Sequence, residues 1–361
     1  MTLVQIDPKD GAPAKPRRAL SWSVRVSRIA AASDAAGLAF ASPFVRLLAG
    51  ENPQAQVAEI ARTFIVPLLG IAVFVALWSL LAPTVQTSLG AIPGPYEVAH
   101  QAEALWQEHE AEREKEAVFY AKQAERNAEL AAKGEAERVK WRDYTGKPTY
   151  IDQILTSLIT VALGFAVATL IAVPLGIACG LSPLINGALN PLIQIFRPVS
   201  PLAWLPIVTM VVSALYVNAS DALPKSLVIS ALTVTLCSLW PTLINTALGV
   251  STIDRDLVNV GRVLQLSPLT TVMKVVLPSA LPLIFTGLRL SLGVGWMVLI
   301  AAEMLAQNPG LGKFVWDEFQ NGSSSSLARI IVAVLTIGLI GFLLDRLMYA
   351  LQAAFTYSAK R

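Results

Sequence analysis

Charge is what this chain has least of. Asp, Glu, Lys and Arg make up 15% of its 361 residues and hydrophobic residues 54%, whereas soluble domains carry about 25% charged residues. That balance excludes a water-soluble globular body, and the chain reads as an integral membrane protein. The formal net charge is only +3 and the Lys and Arg are scattered, which leaves no clustered basic face for a nucleic-acid partner. Cysteine is as scarce: Cys179 and Cys237 both lie in apolar segments, so no disulfide framework or cysteine-rich metal cluster can be built. The two histidines, His100 and His109, stand in a polar region without ligand-like spacing and read as part of a solvated helix face. A Gly-rich phosphate loop with Lys and Ser/Thr, a His cluster and a nucleophile triad are all missing from the sequence. The chain therefore reads as a non-enzyme with no cofactor or metal of its own.

What is present is a series of long apolar runs. A helix needs about 20 apolar residues to cross a hydrocarbon core about 30 Å thick, and only helices or closed barrels satisfy the backbone there. Six runs of helix length occur: Thr63 to Ala82, Ile154 to Gly180, Leu192 to Tyr216, Ser226 to Val250, Leu283 to Leu305 and Ala328 to Leu351. The third contains Pro198, Pro201 and Pro206, so a kinked or partly re-entrant segment is expected. The fold class that follows is an all-α membrane protein.

Lys9, Lys15, Arg17, Arg18, Arg25, Arg28, Arg46 and Arg62 precede the first run, with no small-residue cleavage site behind a short apolar core, so no cleaved signal peptide is expected. The positive-inside rule puts the amino terminus in the cytoplasm, and six crossings return the carboxyl terminus, with Arg346, Lys360 and Arg361, to the same side. The polar loop from Asp254 to Pro282, carrying Arg255, Arg262 and Lys274, lands there too. Lys140, Arg142 and Lys147 on the opposite side are an exception that a long loop tolerates.

The expected organisation is a cytoplasmic region over 1–62, a first span over 63–82, a charged insertion over 83–149, a core over 150–351 containing the 254–282 loop, and a tail over 352–361. Within the insertion, Gln101 to Asp143 is rich in Ala, Glu, Lys and Arg. The pairs Glu110 with Arg113, Glu112 with Lys115, Glu135 with Arg138 and Glu137 with Lys140 predict a solvated helix, interrupted at Gly134. It is either a solubilising insertion or a docking arm for an extracytoplasmic partner. The amino-terminal region, with Ser21 to Arg28 and Ala35 to Leu48 mixing Arg and apolar residues, forms either helices on the membrane surface or a disordered tail.

Small residues recur every fourth position in the second run, at Gly164, Ala168, Ala172, Gly176 and Gly180, and again at Gly287, Ser291 and Gly295 in the fifth. In lipid such ribbons permit close backbone contact and predict a tight bundle. Ser226, Ser230, Thr233 and Cys237 share one helix face; their hydroxyls either line a polar path or bond back to their own helix. Arg197, Arg289 and Glu303 are the informative charges inside the spans. Each costs about 2.5 to 3.5 kcal/mol at mid-membrane on insertion scales, so each is expected near an interface, a partner or a water-filled cavity.

The segments Leu181-Ser182-Pro183, Pro191 to Pro206 (PLIQIFRPVSPLAWLP) and Leu281 to Leu290 (LPLIFTGLRL), with Ala302-Glu303-Met304 and the upstream Ile92-Pro93-Gly94-Pro95, together resemble the nitrate, sulfonate and taurine branch of the permease subunits of binding-protein-dependent ABC importers. The likeness runs from about Tyr150 to Leu351. The 254–282 loop also resembles the cytoplasmic coupling loop of that family, written E-A-A-x3-G-x9-I-x-L-P. In that register the family Glu falls at Asn259, its two Ala at Val260 and Gly261, its Gly at Gln265, and the closing residues at Val275, Leu277 and Pro278. The departures at Asn259 and Gln265 imply a specific rather than a generic ATPase contact. Two short helices bent near Gln265 to Pro268 are expected, with Pro268 in the first turn of the second.

The resemblance implies the six-helix transmembrane domain of a type I ABC importer, with an extra charged helical insertion between helices 1 and 2. It implies as partners two ABC ATPase subunits that bind the ATP, a second permease copy, a periplasmic substrate-binding protein and membrane lipid. The long amino-terminal extension and the insertion look most like nitrate-type permeases. A small anion, nitrate first and nitrite or cyanate next, is the expected solute, and Arg197, Ser230, Thr233, Arg289 and Glu303 are the pathway candidates. The expected location is the bacterial inner membrane, crossed several times; sulfonate or taurine import by an ABC permease and an ATP-independent secondary transporter are the alternatives.

Overall fold

The computed structural model describes Leu47 and residues 53–87, 90–216, 223–323 and 325–358. Apart from Leu47, the expected amino-terminal surface helices lie outside the described residues, as do Lys360 and Arg361. The chain divides into two units, Met1–Phe74 and Val75–Arg361. In the first, α1 (Pro53–Ile60) passes through a π turn (Ala61–Ile65) into the start of α2 (Val66–Leu81). The π turn ends two residues before Pro67, whose missing N–H and bulky ring would otherwise break the ladder. A second π turn, Val272–Val276, likewise ends two residues before Pro278.

In the second unit, β1 (Gln86–Thr87) and β2 (Gly90–Ala91) pair antiparallel, with Gln86 opposite Ala91. Then come α3 (Pro95–Ala132), α4 (Tyr150–Leu181), α5 (Pro183–Phe196), α6 (Pro201–Leu215), α7 (Lys225–Ser251), α8 (Arg255–Val263), α9 (Pro268–Thr271), α10 (Leu277–Ala306), α11 (Leu311–Asn321) and α12 (Ser326–Ser358). Among the described residues, five stretches are long and apolar enough to cross a membrane: Val57–Thr84, Tyr150–Leu181, Lys225–Ser251, Pro268–Ala306 and Ser326–Phe355. A bent pair, α5 and α6, which meet at 103°, passes the same test together and makes up to six if it is one broken span rather than a re-entrant loop.

That bend is the one expected from the prolines of the third run, and the bounds are what differ. Leu192 to Tyr216 is not one helix: α5 already begins at Pro183 and stops at Phe196, and α6 restarts at Pro201. Pro198 and Pro201 deny two amide donors to any continuous ladder, and Ser200 caps α6 by accepting from the Leu202 N–H at 3.3 Å. The fifth span also starts earlier than expected, since the second half of the polar loop runs directly into α10 as part of Pro268–Ala306.

α7 is the central helix and packs along both α4 and α10. The α4 ribbon is why this is possible: a Cβ at Gly164 would lie 2.7 Å from the Ala231 carbonyl oxygen, and one at Gly180 would lie 2.5 Å from Val250 Cβ. Along α7, Ser230, Thr233, Ser238, Thr242 and Thr246 are all buried. Thr233 donates back to the Ile229 carbonyl at 2.9 Å, and Thr235 to Ala231 at 2.9 Å and to Gly164 of α4 at 3.0 Å. Backbone carbonyls thus take several of the hydroxyls that lipid could not satisfy.

The charged insertion is α3, 38 residues long, about 57 Å at 1.5 Å per residue. Its first turns lie against Val332, Leu335 and Leu339 of α12, and Arg329 at the start of α12 reaches Gln101 and Glu108. Farther along, His109 Nδ1 meets Thr149 Oγ1 at 2.7 Å and Arg113 meets Asp152 at 3.0 Å, tying the helix to the amino-terminal end of α4. The pairs Glu112 with Lys115 and Glu135 with Arg138 form at 3.1 and 2.8 Å. Arg113 instead takes Glu116 and Asp152, and Glu110 accepts from Trp106 at 2.9 Å. The helix ends at Ala132, with Gly134 in the left-handed region at φ 78°.

Candidate functional site

The carboxyl-terminal ends of α4 and α7 gather beside α5 around a cavity of about 710 Å³. Asn186, Asn190 and Gln194 repeat every fourth residue on α5 and line it together with Arg197, which caps the helix, while Cys179, Leu243 and Leu248 form the apolar wall. Gln194 Nε2 donates to Asn190 Oδ1 at 3.3 Å, so the stripe is partly ordered within itself. Among the described residues Arg197 makes no ion pair, and its side chain is exposed. A guanidinium and several amides on one apolar wall offer an anion replacements for lost water.

At the opposite end of the bundle Glu303 is fully buried. Ser157 Oγ of α4 donates to its two oxygens at 2.9 and 2.8 Å and accepts from the Leu311 N–H at 2.8 Å, while the Gly312 N–H donates to Glu303 at 3.0 Å. Asn308 Nδ2 approaches Glu303 at 3.5 Å and Thr160 at 3.2 Å, and Asn308 Oδ1 accepts from Ser226 of α7 at 3.3 Å. The carboxylate thus sits on the first amides of α11, where the helix dipole favours negative charge. It joins α4, α7, α10 and α11 in one polar knot. Cβ atoms at Gly310 or Gly312 would collide with Glu303 or with the Ile300 carbonyl, so the carboxylate fits only because those positions are glycine.

The loop after α7 forms a bent finger. Asp254 accepts from the Asp256 N–H at 3.0 Å at the start of α8. α8 ends in a left-handed residue, Gln265 (φ 50°), with the Leu266 N–H bonding the Gly261 carbonyl at 3.0 Å, the six-to-one closure of a Schellman motif. Ser267 then caps α9, accepting from the Thr270 N–H at 3.3 Å. Asn259 and Gln265 are exposed, Gly261 is buried, Val260 lies within α8, Val275 and Leu277 are half-buried and Pro278 is exposed. Leu264, Leu269 and Met273 present an apolar surface, with Leu269 72% exposed. Because a Cβ in the left-handed region costs about 1 kcal/mol, Gln265→Gly is expected to stabilise the finger by about that much, read as slower amide exchange at Leu266.

The remaining pathway candidates are dispersed. Ser230 and Thr233 are shut inside the α7 packing at 0% exposure, the Ser230 hydroxyl without a partner among the described residues. Arg289 pairs with Asp345 of α12, Nη2 to Oδ2 at 2.8 Å, and lies 5.7 Å from the Tyr349 ring centroid. The structure does not bring these three and Arg197 and Glu303 to one place.

Residues 172–357, from the middle of α4 through α12, match the family described as binding-protein-dependent transport system inner membrane component. The chain belongs to that family. The matched residues hold the α5 stripe, the finger and, of the knot, Glu303, Asn308, Leu311 and Gly312, while Ser157 and Thr160 of α4 and the whole of α3 lie outside them. Among relatives, the nitrate import permease NrtB of Leptolyngbya laminosa is 41% identical over 54% of this chain and 65% of its own length. The bicarbonate transport permease CmpB of Synechococcus elongatus is 42% identical over 55% of this chain and 67% of its own. The taurine transport permease TauC of Escherichia coli is 35% identical over 58% and 70%. The chain thus spans about two thirds of the length of these relatives.

Sequence reasoning passed over Asn186, Asn190, Gln194, Ser157 and Asn308. The first three carried a readable signal, an amide every fourth residue in an otherwise apolar stretch. The other two did not: Ser157 and Glu303 are 146 residues apart, and only the fold joins them.

Proposed function

We propose that this chain is the membrane-spanning permease subunit of an ATP-driven importer of a small oxyanion, with nitrate the first candidate and bicarbonate the second. The observation that carries the reading is Arg197, unpaired among the described residues, at the head of the amide stripe in the cavity between α4, α5 and α7. The similarity to nitrate and bicarbonate permeases supports the same class of solute, since both are small singly charged oxyanions. Taurine, whose sulfonate is also an anion, is the runner-up supported by a relative.

On this reading the α8–α9 finger faces the cytoplasm and seats on an ATPase subunit through Leu264, Leu269 and Met273, with Asn259 and Gln265 at its rim. Val275, Leu277 and Pro278 carry the motion into α10 because the helix is continuous from Pro268 to Ala306. Two copies of the chain form the path, and ATP-driven closure of the ATPases moves the fingers as rigid bodies. A soluble binding protein delivers the solute to the opposite end of the bundle, both chain termini are cytoplasmic, and the ATP belongs to the ATPase partners.

Proteoliposomes holding this chain, the ATPase and the binding protein test the reading. Nitrate uptake is expected to require ATP, and Arg197→Ala to lower it about tenfold, the worth of one charge-assisted hydrogen bond, while Arg197→Lys retains part of it and basal ATP hydrolysis stays unchanged. Uptake without the ATPase, or undiminished uptake in Arg197→Ala, would refute the mechanism or the site respectively.

A further inference from the structure

The far part of the α3 arm carries a feature that import of a solute does not require. Lys122 and Arg126, four residues apart on α3, face a cavity of about 250 Å³ whose other wall is the returning chain, which contributes Arg138, Lys140 and Arg142 at alternate positions. Among the described residues no carboxylate lines it. Arg138 is held by Glu135 at 2.8 Å, and among the described residues the other four cations make no ion pair. Gathering like charges is unfavourable, so a partner of opposite sign is the natural complement.

The groove is also built rather than fortuitous. Gln123 clamps the backbone of Arg142 twice, accepting from its N–H at 2.9 Å and donating to its carbonyl at 3.1 Å. Buried Asn127 donates to the Lys140 carbonyl at 3.1 Å, and Tyr120 Oη accepts from the Tyr144 N–H at 3.1 Å. Phe119 packs on Tyr144 with ring centroids 5.4 Å apart. These contacts zip the returning chain to the helix and hold the cations in register. Glutamates are densest in the half nearer the bundle, at Glu97, Glu103, Glu108, Glu110, Glu112, Glu114 and Glu116; the outer half keeps Glu125, Glu129, Glu135 and Glu137, and none of these four is among the groove's lining residues.

We propose that this groove docks an acidic face of the soluble binding protein. The proposal rests on the importer reading above. Reach decides against a lipid headgroup: Arg126 lies thirteen residues, about 20 Å of helix, beyond Arg113, which makes the ion pair to Asp152 at the amino-terminal end of α4. Exposure decides against a lone small anion, because all five cations are exposed and a single ion there is screened and gains little. An extended acidic face makes several such contacts at once and is steered to them.

The intact transporter in nanodiscs, titrated with the purified binding protein that supports uptake, provides the test. Reversing Lys122→Glu, Arg126→Glu and Arg142→Glu together is expected to weaken binding at least tenfold and to abolish its salt dependence. The neutral set Lys122→Gln, Arg126→Gln and Arg142→Gln should give a smaller loss in the same direction, and Lys133→Glu, outside the groove, no change. Binding of both triple variants as tight as wild type would overturn the groove and leave the importer reading standing, whereas a wild-type transporter that takes no binding protein would overturn both. Unchanged protein binding with lost affinity for inorganic phosphate, or for vesicles of anionic lipid, would also overturn the proposal and reassign the groove to that ligand.

Discussion

Glu303→Ala is expected to destabilise the bundle by about 3 to 5 kcal/mol, since it leaves the Ser157 hydroxyl, the Gly312 N–H and the Asn308 amide without the acceptor they share, and each buried orphan costs about 1 to 3 kcal/mol. The effect is large because Glu303 is at 0% exposure and its donors are shut away from bulk water with it. Glycines at 310 and 312 also leave no side chain to refill the space. In nanodiscs the thermal midpoint, followed by tryptophan fluorescence, should fall by roughly 10 °C, at about 2 to 4 °C per kcal/mol for a domain of this size. Glu303→Gln keeps the volume but turns one acceptor into a donor facing donors, so a loss of about 1 to 2 kcal/mol is expected. Equal midpoints for Glu303→Ala and wild type would show that the knot contributes nothing. A separate outcome is informative for transport: if Glu303→Gln folds well yet slows ATP-driven uptake, the knot holds the bundle end that must move.

The sequence made much of this architecture legible, and the reasons are local. Apolar runs of helix length announced the crossings, and Pro198 and Pro201 announced the break between α5 and α6, because each imposes its constraint on its own backbone. The α4 ribbon was readable for the same reason, its period matching one helix face. The finger's bend at Gln265 was readable only with the family pattern, which puts a glycine where this chain places a left-handed glutamine. What stayed hidden depends on neighbours distant in sequence. Arg289 reads as a lone intramembrane cation until α12 brings Asp345 to it, 56 residues away. Glu303 reads as an end-of-helix charge until α4 and α11 close around it. The amides at 186, 190 and 194 were split between a loop and a span because the third crossing was drawn from Leu192, although α5 starts at Pro183.

The α4–α7 seam yields the second large effect, and it separates close packing from mere apolar contact. A Cβ at Gly176 would lie 2.6 Å from Thr246 Cβ and 2.8 Å from the Leu243 carbonyl oxygen, and a carbonyl on a packed helix cannot swing aside. Gly176→Ala is therefore expected to cost about 1 to 3 kcal/mol, as overpacking does, and Gly176→Leu more, because it forces α4 off α7 over several turns. Gly187 on α5 is the control: nothing lies within 4 Å of a Cβ there, so Gly187→Ala should gain up to about 1 kcal/mol of helix propensity. The comparison is read as the fraction of protein that stays monodisperse after heating in detergent, with Gly187→Ala at or above wild type, Gly176→Ala below it and Gly176→Leu lowest. A lipid-facing α4 would invert the expectation, since an added side chain facing acyl chains costs nothing and alanine is the better helix former. Association of helices in lipid has no apolar burial to draw on, so the closeness that these glycines permit has to supply the attraction that holds α7 at the centre.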